Sequence, residues 1–246
     1  MLKKKPEISV ITVCYNAETM IEKTMLSVLN QTYGNIEYII WDGGSTDKTL
    51  TIINKVVGQF PSRNTKVISE KDNGVYDAMN KSIKIANGEW INFMNSGDVF
   101  TDSQVLENIV SSNLMEKSAF IYSDFIADDR NKLRQIHQDY NEGKILHQSS
   151  IYKKELHVKY GLYYVSHPYI VSDYLFFLQV PKENFTKYMQ PISINDTSGI
   201  SMQGTWMEYE RISVDYMMKR LTDTQFVIKV FQRYLINVIK KILKRN

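Results

Sequence analysis

Short apolar runs rich in β-branched residues alternate with amphipathic stretches of helical period over residues 8–94, and that alternation leaves few folds open. Residues 8–14, Ile-Ser-Val-Ile-Thr-Val-Cys, form the near-continuous run expected of a strand covered on both faces of a parallel sheet. Ile21, Met25, Val28 and Leu29 then recur at helical spacing within 18–31, and Tyr38-Ile-Ile-Trp41 returns to strand. The unit repeats: a helix carrying Leu50, Ile53 and Val57 on one face, a strand at 66–69, a helix over 75–86 and a strand at 90–94. Such a pattern specifies an α/β fold, here a doubly wound, mainly parallel sheet with helices on both faces.

Beyond Asp98 the sequence predicts a helix over 102–116, a strand at 120–123, a polar glycine-containing mobile loop at 196–204 and a helix over 206–221. Histidines at 137, 147, 157 and 167 are evenly spaced, but their neighbours share no period, so no repeat is read. Cys14 is the single cysteine, which excludes an internal disulfide and a cysteine-rich zinc site. The basic start, Met-Leu-Lys-Lys-Lys-Pro, leads straight into the first strand with no apolar signal core, and a cytoplasmic protein is expected. No Gly-x-Gly-x-x-Gly, Walker A or His-Glu-x-x-His pattern occurs. Gly199-Ile-Ser-Met-Gln203 fails the serine-hydrolase elbow at its fifth position.

In doubly wound sheets ligands bind beyond the carboxyl ends of the strands. Here those ends read Tyr15-Asn16, Asp42-Gly-Gly-Ser-Thr-Asp47, Glu70-Lys-Asp-Asn-Gly-Val-Tyr-Asp77 and Asn95-Ser-Gly-Asp98. Each alone is a reasonable turn; four together place polar and acidic groups on one edge.

These blocks, with Asp72-Asn-Gly-Val-Tyr-Asp-Ala-Met-Asn80 and Gly88-Glu-Trp-Ile-Asn-Phe-Met-Asn-Ser-Gly-Asp98, resemble the successive signatures of family 2 glycosyltransferases over residues 6 to about 180. The resemblance implies a GT-A fold, an inverting mechanism and a nucleotide-sugar donor, usually uridine-linked. It assigns donor binding to residues 1–100 and acceptor binding to 101–221, followed by a tail, 222–246. Tyr15, Asn16, Asp42 and Asp72 are then donor-binding candidates, Tyr15 offering a flat face to the base and the two carboxylates accepting from base or ribose. Asp98 is the expected ligand of Mg²⁺ or Mn²⁺, which would neutralise the diphosphate leaving group. The family usually spells this site Asp-x-Asp; Asn95 stands in the departing position, as a weaker ligand or a hydrogen-bond partner of the sugar. Asp173, in Ser172-Asp173-Tyr174, resembles the acidic motif that supplies the general base, and His147-Gln148 matches a common pair on the acceptor side. A decayed sugar-nucleotide-binding partner of another transferase is the alternative that Asn95 leaves open.

The tail narrows the partners. Residues 226–246 hold six of the 30 basic residues and none of the 27 acids, leaving a mildly acidic body; a nucleic-acid binder would spread its basic stripe over the fold. At about 100° per residue, Lys229, Arg233, Asn237, Lys240, Lys241 and Lys244 share one sector and Val227, Ile228, Phe231, Leu235, Val238, Ile239 and Ile242 the opposite one. Such a basic amphipathic helix suits an anionic membrane surface, with packing on the body or on a second copy, as a homodimer, as alternatives. The expected setting is the inner face of the cell membrane, on a glycan or lipid-linked acceptor.

Overall fold

The computed structural model describes residues 7–129, 132–166, 171–197 and 206–243. Strands β1 (Ile8–Cys14), β2 (Ile36–Asp42), β3 (Thr65–Ser69) and β4 (Trp90–Phe93) alternate with helices α1 (Ile21–Leu29), α2 (Thr49–Gln59) and α3 (Val75–Ile85). β1, β2 and β4 are buried along their whole length, which is why their sequences read as continuous apolar runs. Each Ile or Val so covered contributes about 1.5–3 kcal/mol relative to exposure.

β5 (Val99–Phe100), α4 (Val105–Ser111), α5 (Leu114–Lys117), β6 (Phe120–Ser123), β7 (Phe125–Asp129) and β8 (Lys132–Ile136) follow. Then come β9 (Ser150–Lys153), α6 (Glu155–Tyr160), α7 (Ser172–Gln179), β10 (Phe185–Tyr188), β11 (Ser193–Asp196), α8 (Trp206–Met217) and α9 (Asp223–Leu243). The main sheet runs β10-β6-β9-β4-β1-β2-β3 and a smaller one β5-β11-β7-β8. β1 pairs in parallel with both β2 and β4, while β9 runs antiparallel between β4 and β6. The chain therefore reverses its direction of winding between β1 and β4, the place where doubly wound sheets open a ligand crevice.

The helix expected over 102–116 is corrected: it is two short helices broken at Asn113, whose φ is 57°. Ser111-Ser112-Asn113 are poor helix formers, and asparagine tolerates the left-handed region. The first helix is shorter than the 18–31 expected, because the amides of residues 16–18 bond sideways to the loop after β2 and the start of α2 rather than within their own next turn. α8 stops at Met217, not 221, just ahead of left-handed Lys219. Of the expected loop at 196–204, residues 198–204 lie outside the described residues.

α9 turns the reverse of the face an amphipathic helix usually buries. Arg233 pairs with Glu208 and Asn237 donates to the Tyr209 hydroxyl, so the polar sector faces α8. Val227, Ile228, Phe231, Leu235, Ile239 and Ile242 are exposed. Packing of the apolar stripe on the body is thereby excluded.

Candidate active site

Four segments meet at the carboxyl edge of β1, β2 and β4. Asn16, in the left-handed region at φ 48°, accepts from the Thr46 amide at 2.9 Å while its own amide donates to Ser45, tying the loop after β1 to the loop after β2. Asp47 accepts from the amides of Thr49 and Glu18, fixing the starts of α2 and α1 against each other. Tyr15 stands out from this frame, 62% exposed, as a ring free to meet a flat ligand.

Asp42, the donor-binding candidate at the end of β2, already has partners within the protein. It is fully buried, and its carboxylate accepts from the Ser45 amide and hydroxyl and from the Ser69 hydroxyl. A ligand reaches it only by taking the place of a serine. Asp72 is partly buried and bonds the Gly74 amide at 2.9 Å; burial raises its pKa above the ordinary carboxylate value. A Cβ at Gly43 would stand 2.6 Å from Asp72 Oδ2, so glycine is what lets this carboxylate lie against the turn after β2. Cys14, just beneath, has its thiol pushed up to about 12 by burial and by Asp42, Asp47 and Asp72, and is inert.

The acceptor side is built around a single 3-10 turn, His147–Ser149. His147 Nδ1 lies 2.7 Å from Asp173 Oδ2 and its Nε2 lies 2.8 Å from Asn95 Nδ2. Gln148, the next residue, donates from Nε2 to Asp98 Oδ2 at 2.9 Å. The pair read only as acceptor-side residues therefore joins both candidate carboxylates, Asp98 and Asp173. Asp173 Oδ1 accepts from the Tyr76 hydroxyl at 2.8 Å and from the Tyr174 amide. Burial pushes the Asp173 pKa up, but His147, Tyr76 and the Tyr174 amide outweigh it and hold the carboxyl below its usual value. Tyr76 lies within the third sequence block, but its part became visible only here. His157 is an ordinary core histidine, stacked on Phe176 and held neutral by burial with a pKa of about 4.

Asp98 is 6% exposed, and burial raises its pKa to about 6 despite the bonds from Gln148 and the Asp196 amide. Among the described residues no three acidic, cysteine or histidine side chains gather as a metal cluster. Two nearby residues, Gln148, which bonds Asp98, and Asn95, three positions before it, nevertheless carry unused oxygens. Gln148 Oε1 and Asn95 Oδ1 are both buried without a hydrogen-bond donor. A buried carboxylate that resists its charge, with unsatisfied amide oxygens on Gln148 and Asn95, fits a divalent cation that Asp98 would hold.

Residues 9–168 match the model of glycosyl transferase family 2. The chain belongs to this family. An Escherichia coli UDP-Glc:alpha-D-GlcNAc-diphosphoundecaprenol beta-1,3-glucosyltransferase is 37% identical over 48% of this chain, and the match spans less than half (45%) of that relative. A PGL/p-HBAD biosynthesis glycosyltransferase of Mycobacterium bovis is 28% identical over 80% of this chain and 79% of its own length. In structure, S. aureus TarS 1–349 bound to UDP-GlcNAc superposes with TM-score 0.72 at 19% identity, over 91% of the transferase and 69% of TarS 1–349. The mannosyltransferase of Pyrobaculum calidifontis with GDP-Man and Mn²⁺ gives 0.67 at 16% identity, covering 90% and 66%. These likenesses establish the GT-A fold.

Proposed function

We propose that the chain is an inverting, metal-dependent glycosyltransferase that moves one sugar from a uridine diphosphate donor to a glycan or lipid-linked acceptor in surface polysaccharide synthesis. The observation that carries this is the Asp98–Gln148–His147–Asp173 chain, in which two carboxylates, read as cation-binding and acceptor-side, bond adjoining residues of one 3-10 turn. The uridine nucleotide of the E. coli relative and of the TarS complex supports the donor class.

Asp98 would hold Mg²⁺ or Mn²⁺, whose charge offsets that growing on the diphosphate. Tyr15 covers the base, while Asn16, Asp42 and Asp72 shape the ledge beneath it. Asp173 supplies the basic character that removes the acceptor proton as its oxygen attacks the anomeric carbon. A binding-only role would not need this second carboxylate held ionised beside the first. A panel of nucleotide-sugars incubated with Mn²⁺ tests the reading: nucleotide should be released from a uridine-linked member, and a panel releasing none would favour the decayed partner.

The exposed apolar face of α9 we assign to an anionic membrane surface. Among the described residues no helix is long and apolar enough to cross a bilayer, but α9 can lie in one leaflet with Lys229 and Lys240 exposed at its flanks. Each cation near an anionic surface adds about 1 kcal/mol. Deleting residues 226–246 should release the protein from phosphatidylglycerol vesicles in a flotation assay and leave turnover of a soluble donor intact. Wild-type protein that ignores such vesicles at low salt contradicts this; a dimer that falls to monomers on truncation makes the face an oligomer contact.

A further inference from the structure

Asp173 is poorly placed to take a proton itself. Its two oxygens already accept from three protein donors: the Tyr76 hydroxyl and Tyr174 amide on Oδ1, and His147 Nδ1 on Oδ2. It is 9% exposed. His147 is held between Asp173 and Asn95. A carboxylate accepting at Nδ1 places the ring proton there, and leaves Nε2 as a bare lone pair that accepts from the Asn95 amide. Phe93 packs edge-on against the ring with centroids 6.3 Å apart, which fixes its plane. Asn95 follows the end of β4 three residues before Asp98, so Nε2 faces the segment that carries Asp98. Asn95 Oδ1 is buried and unpartnered, which leaves that amide with reason to exchange its histidine contact for a substrate hydroxyl.

We infer that His147 Nε2 is the atom that takes the acceptor proton, and that Asp173 acts through it by fixing its tautomer and stabilising the imidazolium. The inference rests on the transferase reading above. In the step, the acceptor hydroxyl replaces Asn95 on Nε2 and its oxygen forms the bond to the anomeric carbon. The bond from that carbon to the diphosphate oxygen breaks, its electron pair leaves on the diphosphate, and the hydroxyl proton moves to Nε2. The imidazolium keeps its Nδ1 proton on Asp173 and returns the new proton to water when product leaves. This is the division of labour of a histidine–aspartate pair, here set on a glycosyl transfer.

The first test reads the ring directly. In full-length protein labelled with ¹⁵N-histidine and saturated with UDP and Mg²⁺ at pH 7.5, the His147 resonance, assigned by its loss in His147→Gln, should show Nδ1 protonated and Nε2 bare. A ring protonated at Nε2 has no lone pair to offer and overturns the inference, whatever the acceptor proves to be. The second test is kinetic, with UDP-sugars and water or a glycoside as acceptor. His147→Gln should lower turnover by about 10²-fold while UDP affinity stays within threefold of wild type. Added imidazole should restore part of the turnover of His147→Ala, which a merely structural role would not allow. The double variant with Asp173→Asn should be no slower than the slower single variant by more than a few-fold, because the two act as one device. If His147→Gln keeps a third or more of wild-type turnover while Asp173→Asn loses it, Asp173 is the base, the inference falls and the proposed function stands. If both variants turn over as wild type, the acceptor-side reading falls with it.

Discussion

Asp98→Ala should abolish both the divalent-cation dependence and nearly all transfer, leaving the fold intact. Asp98 is the carboxylate at the end of β4, and its neighbour Asp196, whose amide bonds it, has its own carboxylate 3.8 Å from Lys23. Asn95 and Gln148 offer only amide oxygens, which hold a hard cation less well than a carboxylate does. The leaving diphosphate would then depart without a counter-charge, an electrostatic contribution that commonly amounts to 10²- to 10³-fold or more in rate. The fold should survive because removing a buried carboxylate that resists ionisation removes an unfavourable charge along with two hydrogen bonds. Transfer rates with and without chelator, with circular dichroism as the check on folding, decide it. Full activity in the variant, or wild-type activity untouched by exhaustive chelation, would contradict the assignment.

Asp173→Asn should lower transfer by about 10²-fold or more with donor affinity close to normal. Asparagine keeps the size of the side chain and can still meet His147 and Tyr76, but it has no charge with which to support proton removal. Steady-state rates at saturating donor, set beside calorimetric affinity for UDP, separate chemistry from binding. Collapse of donor affinity with turnover kept at saturation would instead make Asp173 a donor ligand.

The parts of this molecule legible in its sequence are those decided by local pattern. β1 and β2 read as strands because both faces are covered and apolar residues therefore run without interruption. The strand ends read as a site because a parallel sheet brings its carboxyl ends to one edge. β8 was not legible: it is an outer strand of a small sheet with Leu133 exposed and its polar residues unpatterned. The break at Asn113 was likewise hidden, since helical spacing on either side of it continues almost in phase. Within the site, the strand-end pattern pointed to Asp98 and the family resemblance to Asp173, but burial and partnership are properties of long-range packing. That Ser69 closes over Asp42 follows from the β2–β3 pairing, and that Tyr76 reaches Asp173 from 97 positions away, with His147 and Gln148 facing opposite carboxylates, follows from how β4, α3 and α7 meet. No local period encodes such contacts.

The central claim, that Asp98 and a divalent cation together hold a uridine diphosphate group, is tested most directly by calorimetric titration of UDP into the protein at pH 7.5 and at pH 5, with and without Mn²⁺. A carboxyl whose folded pKa lies near 6 is an anion at pH 7.5 and mostly protonated at pH 5. Because burial favours its acid form, the metal-free fold is more stable below about pH 4 and loses that increment as pH rises through about 6. Cation binding requires the anion and so gains strength over the same interval. UDP should bind in Mn²⁺ at pH 7.5, weaken about tenfold at pH 5, and lose most of its affinity at either pH when Mn²⁺ is chelated. UDP affinity that is indifferent to Mn²⁺ and to pH, or no UDP binding under any of these conditions, would contradict the account.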